Sequence, residues 1–159
     1  MNDNHNNGGR CTCGAIAYAL TAAPMFVHCC HCSWCQRETG SAFAINALIE
    51  AEHIQLIKGQ PEIITVPSNS GKGQQICRCP VCKTALWSHY GAAKEKVSFV
   101  RVGTLNHPDA CPPDIHIFTS TKQKWLQLSN AVPVMEQYYQ RSKYWPEQSI
   151  VRYKRVTGA

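Results

Sequence analysis

Cysteine is the residue type in this sequence with the greatest capacity for chemistry. Ten of the 159 residues are cysteines, and nine of them lie in three short segments: CTC at 11–13, HCCHCSWC at 28–35 and CRCPVC at 77–82. Closely spaced cysteines form disulfides in secreted proteins and bind metal in reducing compartments. The first residues show no basic region followed by an apolar run, and no stretch of the chain is apolar enough to span a membrane. We therefore expect a cytoplasmic protein whose cysteines bind metal.

Two of these segments fit a closed, structural zinc site. Tetrahedral zinc takes four thiolate or imidazole ligands, and C-x-C or C-x-x-C spacing lets one tight turn supply two sulfurs. Cys11 and Cys13 would join Cys79 and Cys82, which lie about 65 residues later. Zinc binding of this kind contributes roughly 10–16 kcal/mol to folding in zinc-finger peptides. We expect this cysteine quartet to hold the fold together.

The middle segment supplies three further sulfurs, from Cys30, Cys32 and Cys35. Three protein ligands with an open fourth position are typical of a catalytic zinc, so this trio is the candidate for chemistry. A closed second structural site is the alternative, completed by one of five residues. These are Cys29, Cys77, Cys111, His28 and His31. Cysteines outside both metal sites would be buried or incidental thiols.

The elements that position these ligands are predicted to be mainly strands. Ile and Val total 21 residues against 7 Leu, and short β-branched or alternating runs follow one another between turn-rich stretches. These runs are GAIAYAL, MFVHC, FAINALI, HIQLI, EIITV, VSFVRV and DIHIF. A short helix is predicted at about 33–39. A second is predicted at about 132–142, with Pro133 in its first turn and Val134, Tyr138 and Tyr139 on one face.

The length favours a single domain. Ile, Val, Leu and Phe make up about 20% of the chain, which leaves a thin core for this size and gives metal binding a structural purpose. Residues 1–9 are rich in Asn and Gly and are predicted to be a mobile tail. Residues 10–159 are then one zinc-binding domain.

An ordered set of motifs resembles the glutathione-dependent formaldehyde-activating enzyme family, which includes centromere protein V. The motifs are CTCGAIAY at 11–18, CHCSWCQRETGSAF at 30–43, SGK at 70–72 before the cysteine pair at 79 and 82, GTL at 103–105, and HI at 116–117 leading to Lys124-Trp125. The resemblance covers about residues 9–128. It implies a mainly β fold of several coiled sheets tied by zinc, similar to methionine-R-sulfoxide reductase B and to a small Rab-binding exchange factor.

The resemblance also implies two zinc ions per chain. It assigns a structural zinc to the quartet Cys11, Cys13, Cys79 and Cys82, and a second zinc to Cys30, Cys32 and Cys35. The implied reaction joins glutathione and formaldehyde to S-hydroxymethylglutathione, which is classed in reverse as a carbon-sulfur lyase reaction. The expected partner is therefore a small-molecule thiol such as glutathione.

The sequence departs from the family pattern around its downstream cysteine pair. The family usually has Phe-Cys-x-x-Cys-Gly, whereas Arg78 precedes Cys79 and Lys83 follows Cys82. Glycine permits a positive φ at the end of such a turn. Lys83 must therefore either adopt a less favourable conformation or end a different turn. Asn106 replaces the usual aspartate after GTL.

Two functional hypotheses follow. In the first, a zinc on the trio holds glutathione's sulfur as thiolate or polarises an aldehyde carbonyl. Three thiolates leave such a site negative, so delivery of a thiolate is its more natural role. The net charge of +6 favours an anionic tripeptide, with Arg37 and Lys72 as candidate carboxylate partners.

The alternative is a non-catalytic zinc module that binds a protein or nucleic acid. The basic segment VRYKR at 151–155 permits nucleic-acid contact, but the other lysines and arginines are dispersed and form no basic stripe with aromatics. Nucleic acid is therefore not the expected partner. His116 and Trp125 are expected either to line a substrate cavity or to pack in the core.

Overall fold

The computed structural model describes residues 7–91 and 93–159, which form a mainly β structure. The strands of the described residues are β1 (Gly8–Arg10), β2 (Ala17–Leu20), β3 (Phe26–Cys30), β4 (Ala44–Glu50), β5 (Ile54–Lys58), β6 (Glu62–Val66), β7 (Gln74–Arg78), β8 (Ala85–Tyr90), β9 (Val97–Arg101) and β10 (Ile115–Ile117). The helices are α1 (Ser33–Thr39), α2 (Arg141–Tyr144) and α3 (Glu147–Thr157). No helix among the described residues combines the length and the apolar character needed to cross a membrane.

The strands of the described residues form two sheets. A seven-stranded sheet has the order β10-β3-β4-β9-β8-β7-β6, and a three-stranded sheet has the order β1-β2-β5. In the larger sheet β10 runs parallel to β3, and the other neighbours pair antiparallel. Parallel pairing of β10 beside β3 brings residues far apart in sequence next to the cysteine-rich segment.

Strand β4 separates two hydrophobic clusters. Successive side chains of a strand point to opposite faces, and here Ala47 and Ile49 join one cluster while Leu48 joins the other. The first cluster includes Tyr18 and other residues of the small sheet. The second includes Tyr153 of α3. The large sheet is therefore covered by the small sheet on one face and by the C-terminal helix on the other.

The predicted strands are confirmed, since each β-rich run overlaps one of the observed strands. Helix α1 confirms the prediction at 33–39. It begins after Cys32, whose side chain accepts a hydrogen bond from the backbone N–H of Cys35, and it ends at Gly40 with φ 65°. The strands β1, β7 and β8 and the helices α2 and α3 were not predicted.

The helix predicted at about 132–142 is wrong. Residues 131–140 form no helix, and helix α2 begins at Arg141. His116 donates its backbone N–H to the carbonyl of Pro133 and accepts a hydrogen bond from the N–H of Met135. The outer edge of β10 thus offers this segment backbone partners, which a sequence pattern does not reveal.

The mobile tail predicted at residues 1–9 is wrong for Gly8 and Gly9, which lie in β1 and pair with Ala19 and Tyr18. Gly9 lies against the ring of Tyr18, where any Cβ atom would collide with the ring. Glycine is therefore required there for packing. Asn7 accepts a hydrogen bond from the N–H of Leu20, and residues 1–6 of the predicted tail lie outside the described residues.

Candidate metal centres and the cavity beside them

The quartet predicted from spacing comes together between two hairpin turns. Cys11 and Cys13 lie in the β1–β2 turn, Cys79 and Cys82 lie in the β7–β8 turn, and their four sulfurs lie within 4.8 Å of one another. Two Sγ···Sγ distances are 3.6 and 3.7 Å. A tetrahedron with Zn–S bonds of 2.3 Å has sulfur–sulfur edges of about 3.8 Å. The donor set and its dimensions therefore fit zinc.

Backbone and hydroxyl groups surround these sulfurs with donors. The N–H of Ile16 lies 3.3 Å from Cys11 Sγ, and the N–H of Val81 lies 3.4 Å from Cys79 Sγ. A hydrogen bond with the Thr84 hydroxyl lowers the pKa of Cys82 to about 5. Such donors favour the thiolate form that metal binding requires.

The trio Cys30, Cys32 and Cys35 also comes together, with all three sulfurs within 4.8 Å of one another. Cys30 ends β3, Cys32 caps helix α1, and Cys35 lies in the first turn of that helix. The thiol groups of Cys30 and Cys35 and the N–H of Cys35 lower the pKa of Cys32. These contacts favour the thiolate form of Cys32.

No fourth Cys, His, Asp or Glu of the described residues joins the trio. His28, one of the candidates for a closed site, forms a 2.5 Å hydrogen bond with the hydroxyl of Tyr139, and burial lowers its pKa to about 3. Cys77 and Cys111 are buried outside the candidate metal groups. Among the described residues, three ligands therefore meet here, and none of the other candidates takes a fourth position.

Two remaining candidates, Cys29 and His31, form a separate group with His116. Cys29 Sγ lies 3.5 Å from His31 Nε2, which lies 2.9 Å from His116 Nδ1. Cys29 and His31 are buried, and His116 is half-buried. Burial is the largest cause that lowers the pKa of His31, to about 4, and it also lowers the pKa of His116. Burial therefore favours the neutral form of both imidazoles.

A cavity of about 470 Å³ lies beside α1 and the β7–β8 turn. Its lining includes three cationic side chains, Arg78, Lys83 and Arg101, and one carboxylate, Glu38, which forms an ion pair with Arg78. Cys82 of the quartet also lines it. Lys83 forms an ion pair with Glu62, so the charge of Arg101 remains to attract an anionic molecule.

Arg101 is the most deeply buried of these cations, with 8% of its surface exposed. It donates to Asn46 Oδ1 and to Ser88 Oγ, while its Nε has no partner among the described residues. No carboxylate of the described residues forms an ion pair with it. The hydrogen bond with Cys30 and the charge of Arg101 lower the pKa of Cys35, but the hydrogen bond with Cys32 and burial outweigh them and raise it. Arg101 therefore links the cavity electrostatically to the trio.

The structure does not bring the predicted carboxylate partners Arg37 and Lys72 to this cavity. Both side chains are exposed, and neither contributes to its lining. Trp125 is 69% exposed and donates to Gln123 Oε1, so it neither packs in the core nor lines the cavity. His116 contacts His31 instead of the cavity.

A comparison with known families identifies the family of this chain. The family model described as glutathione-dependent formaldehyde-activating enzyme matches residues 6–121, which is most of the chain and contains the quartet and the trio. The chain belongs to this family. The match ends before helices α2 and α3, which lie in the C-terminal part of the chain.

Among solved structures, the chain matches the crystal structure of a Rhodobacter sphaeroides protein, determined as a structural genomics target. It is 16% identical, with a TM-score of 0.47, over 80% of this chain and 98% of that chain. No curated protein matches the sequence.

In this member of the formaldehyde-activating family, three residues that line the cavity were not predicted from the sequence as site residues. Arg78 and Lys83, noted only as departures from the family pattern, both line it. Arg101 received no role. A sequence signal was present, because Arg101 is a charged residue at the end of the apolar strand run VSFVRV. A charge in such a run needs a buried partner or a ligand.

Proposed function

We propose that this chain is a zinc-dependent enzyme of the carbon-sulfur lyase type, acting on glutathione or a related thiol and its adduct with formaldehyde or another small aldehyde. Family membership supports the glutathione- and formaldehyde-related chemistry. The observation that carries the proposal is the trio of sulfurs, which no fourth ligand of the described residues joins and whose Cys35 feels the charge of Arg101. The reaction proposed here involves two zinc ions per chain, one on the quartet and one on the trio.

The residues of the chain would act mainly by binding and orienting the thiol. Arg101 attracts a carboxylate of an anionic thiol, and charge-assisted hydrogen bonds to this side chain would fix the position of the thiol. The Glu38–Arg78 ion pair borders the same space. When bound to Cys30, Cys32 and Cys35, zinc would supply a coordination position that favours the deprotonated form of a substrate sulfur.

The net reaction is an addition in one direction and an elimination in the other. A sulfur–carbon bond forms between the thiol and the aldehyde carbon, and the thiol proton ends on the carbonyl oxygen. The reverse direction breaks that bond and regenerates thiol and aldehyde. Because both directions need only proton transfer and a thiolate, the chemistry requires no redox partner.

The proposal is tested with the zinc-loaded protein. The rate of exchange between glutathione, formaldehyde and their adduct is measured at equilibrium by NMR with labelled formaldehyde. Wild-type protein should accelerate exchange over the protein-free solution. Cys32→Ser should bind one zinc fewer and reduce the exchange rate to the protein-free value, because it removes the central ligand of the trio. Cys111→Ser, a buried cysteine outside the candidate metal groups, is the matched control and should behave as wild type.

Equal exchange rates with and without wild-type protein would overturn the proposal. So would a Cys32→Ser protein that loses one zinc and keeps the full rate, since the trio would then bind metal without taking part in the reaction.

The non-catalytic alternative has less support, because its basic segment is already occupied. In the VRYKR segment, Arg152 forms an ion pair with Glu50, and Arg155 forms one with Glu52. These contacts hold helix α3 on the protein and leave fewer free charges for a nucleic acid.

A further inference from the structure

The group of Cys29, His31 and His116 arises from the register of two neighbouring strands. Cys29 lies opposite His116 in the parallel pairing of β3 with β10. His31 follows two residues after Cys29, and its N–H continues the pairing by donating to the carbonyl of Ile117. Residues i and i+2 of extended chain share a face. One sulfur and two imidazole nitrogens thus converge on the same side of the sheet.

The distances within this group suit a metal ion with one sulfur and two nitrogen ligands. For tetrahedral geometry, bonds of about 2.3 Å to sulfur and about 2.05 Å to nitrogen place the two donors about 3.5 Å apart. The distance from Cys29 Sγ to His31 Nε2 is 3.5 Å. The two nitrogens are 2.9 Å apart, against about 3.3 Å for a tetrahedral pair. Half-buried His116 can open this gap by the small movement needed.

The surroundings also favour a bound ion over a chance contact. Cys29 has 1% of its surface exposed and His31 has 0%. His31 is the only hydrogen-bond partner of the Cys29 thiol among the described residues. The Nδ1 of His31 has no hydrogen-bond partner among the described residues. If Nε2 binds a metal ion, Nδ1 carries an unsatisfied N–H, but this costs far less free energy than the bonds to a structural zinc ion contribute.

We propose that Cys29, His31 and His116 form a third metal site, for a divalent ion of borderline softness such as zinc. Thiolate and imidazole donors select such ions over calcium or magnesium. The trio lies on the other side of the strand, because Cys30 points to the opposite face from Cys29. Along residues 29–32, Cys29 and His31 therefore belong to one metal site, and Cys30 and Cys32 belong to the other, on the opposite face.

This site is tested by the number of zinc ions each protein retains after saturation with zinc and removal of excess metal. Cys29→Ser and His116→Gln should each retain one zinc fewer than wild type, whatever the absolute count. Cys77→Ser is the matched control, because it removes another buried strand cysteine that lies outside the candidate metal groups. It should retain the wild-type number.

Cobalt(II) in place of zinc gives a second readout. Wild-type protein should show more sulfur-to-cobalt charge-transfer absorption than Cys29→Ser. The difference should equal the absorption that one thiolate ligand contributes. His116 is half-buried, so His116→Gln keeps the experiment decisive if Cys29→Ser fails to fold. Retention of the wild-type zinc number by His116→Gln, or by folded Cys29→Ser, would overturn the proposal. The result is independent of the exchange assay, which reports on the trio alone.

Discussion

Lys83 is a residue with an unfavourable backbone conformation at a site where the family usually has glycine. Its φ is 63°, which is the left-handed region, and its N–H donates to the carbonyl of Cys79 to close the β7–β8 turn. The first of the two alternatives drawn from the sequence is therefore correct: the turn is kept and lysine adopts the less favourable conformation. This conformation costs an L-residue about 1–2 kcal/mol. The exposed ion pair of Lys83 with Glu62 compensates by less than about 1 kcal/mol.

Lys83→Gly should therefore stabilise the zinc-loaded protein by about 1 kcal/mol. The measurement is the free energy of unfolding in urea. Lys83→Ala is the matched control, since it removes the same ion pair and keeps a Cβ atom, and it should be no more stable than wild type. A Lys83→Gly protein no more stable than Lys83→Ala would show that the turn carries no strain.

Helix α3 illustrates how a charged element is held on the fold. It buries Tyr153, and Ser149 donates to the carbonyl of Met25. Arg152 donates to both carboxylate oxygens of Glu50 at 2.7 and 2.6 Å. Burial by itself raises the pKa of Glu50, but the hydrogen bonds from Arg152 outweigh it, so the pKa lies below its ordinary value.

The lowered pKa of Glu50 makes the docking of α3 dependent on pH. A carboxyl whose folded pKa lies below its unfolded pKa, about 4.3 for Glu, stabilises the protein above that value and loses this contribution as pH falls through the folded pKa. Glu50→Gln should therefore cost about 2 kcal/mol at pH 7 and progressively less below about pH 4. Urea unfolding across this range measures the difference from wild type.

Glu52→Gln is the control for this experiment, because Glu52 is exposed and pairs with Arg155 at the surface. It should change stability little at any pH. A destabilisation by Glu50→Gln that stays constant from pH 7 to pH 4 would contradict the role given to the Glu50 carboxylate.

The elements that the sequence predicted well are those with a local cause. The strands follow from β-branched runs, and the ligand pairs follow from spacing that a single turn satisfies. The segment around Pro133 has the pattern of a helix and pairs instead with the edge of β10, a partner remote in sequence. The cation cavity and the contact of Cys29 with His116 depend in the same way on which strands become neighbours. The pattern of residues in a single sequence does not indicate which strands become neighbours.

At the scale of the whole molecule, the quartet joins the two sheets. One of its turns belongs to the small sheet and the other to the large sheet. Cys13 and Cys79 are 66 residues apart in sequence, and Thr12 and Thr84 add a hydroxyl contact of 3.1 Å between the same turns. A metal ion there restricts a long segment of the unfolded chain. The trio, by contrast, closes only the short stretch from Cys30 to Cys35.

The two sites should therefore contribute unequally to stability. Loop-closure entropy grows with the logarithm of loop length, and the difference between 66 residues and the short stretch of the trio corresponds to about 2 kcal/mol. Cys79→Ser should lower the free energy of unfolding by about 2 kcal/mol more than Cys32→Ser, with each variant retaining one zinc fewer than wild type. Urea unfolding of the zinc-saturated proteins measures this difference. Equal destabilisation by the two substitutions would mean that the contacts between the sheets, and not the quartet, hold them together.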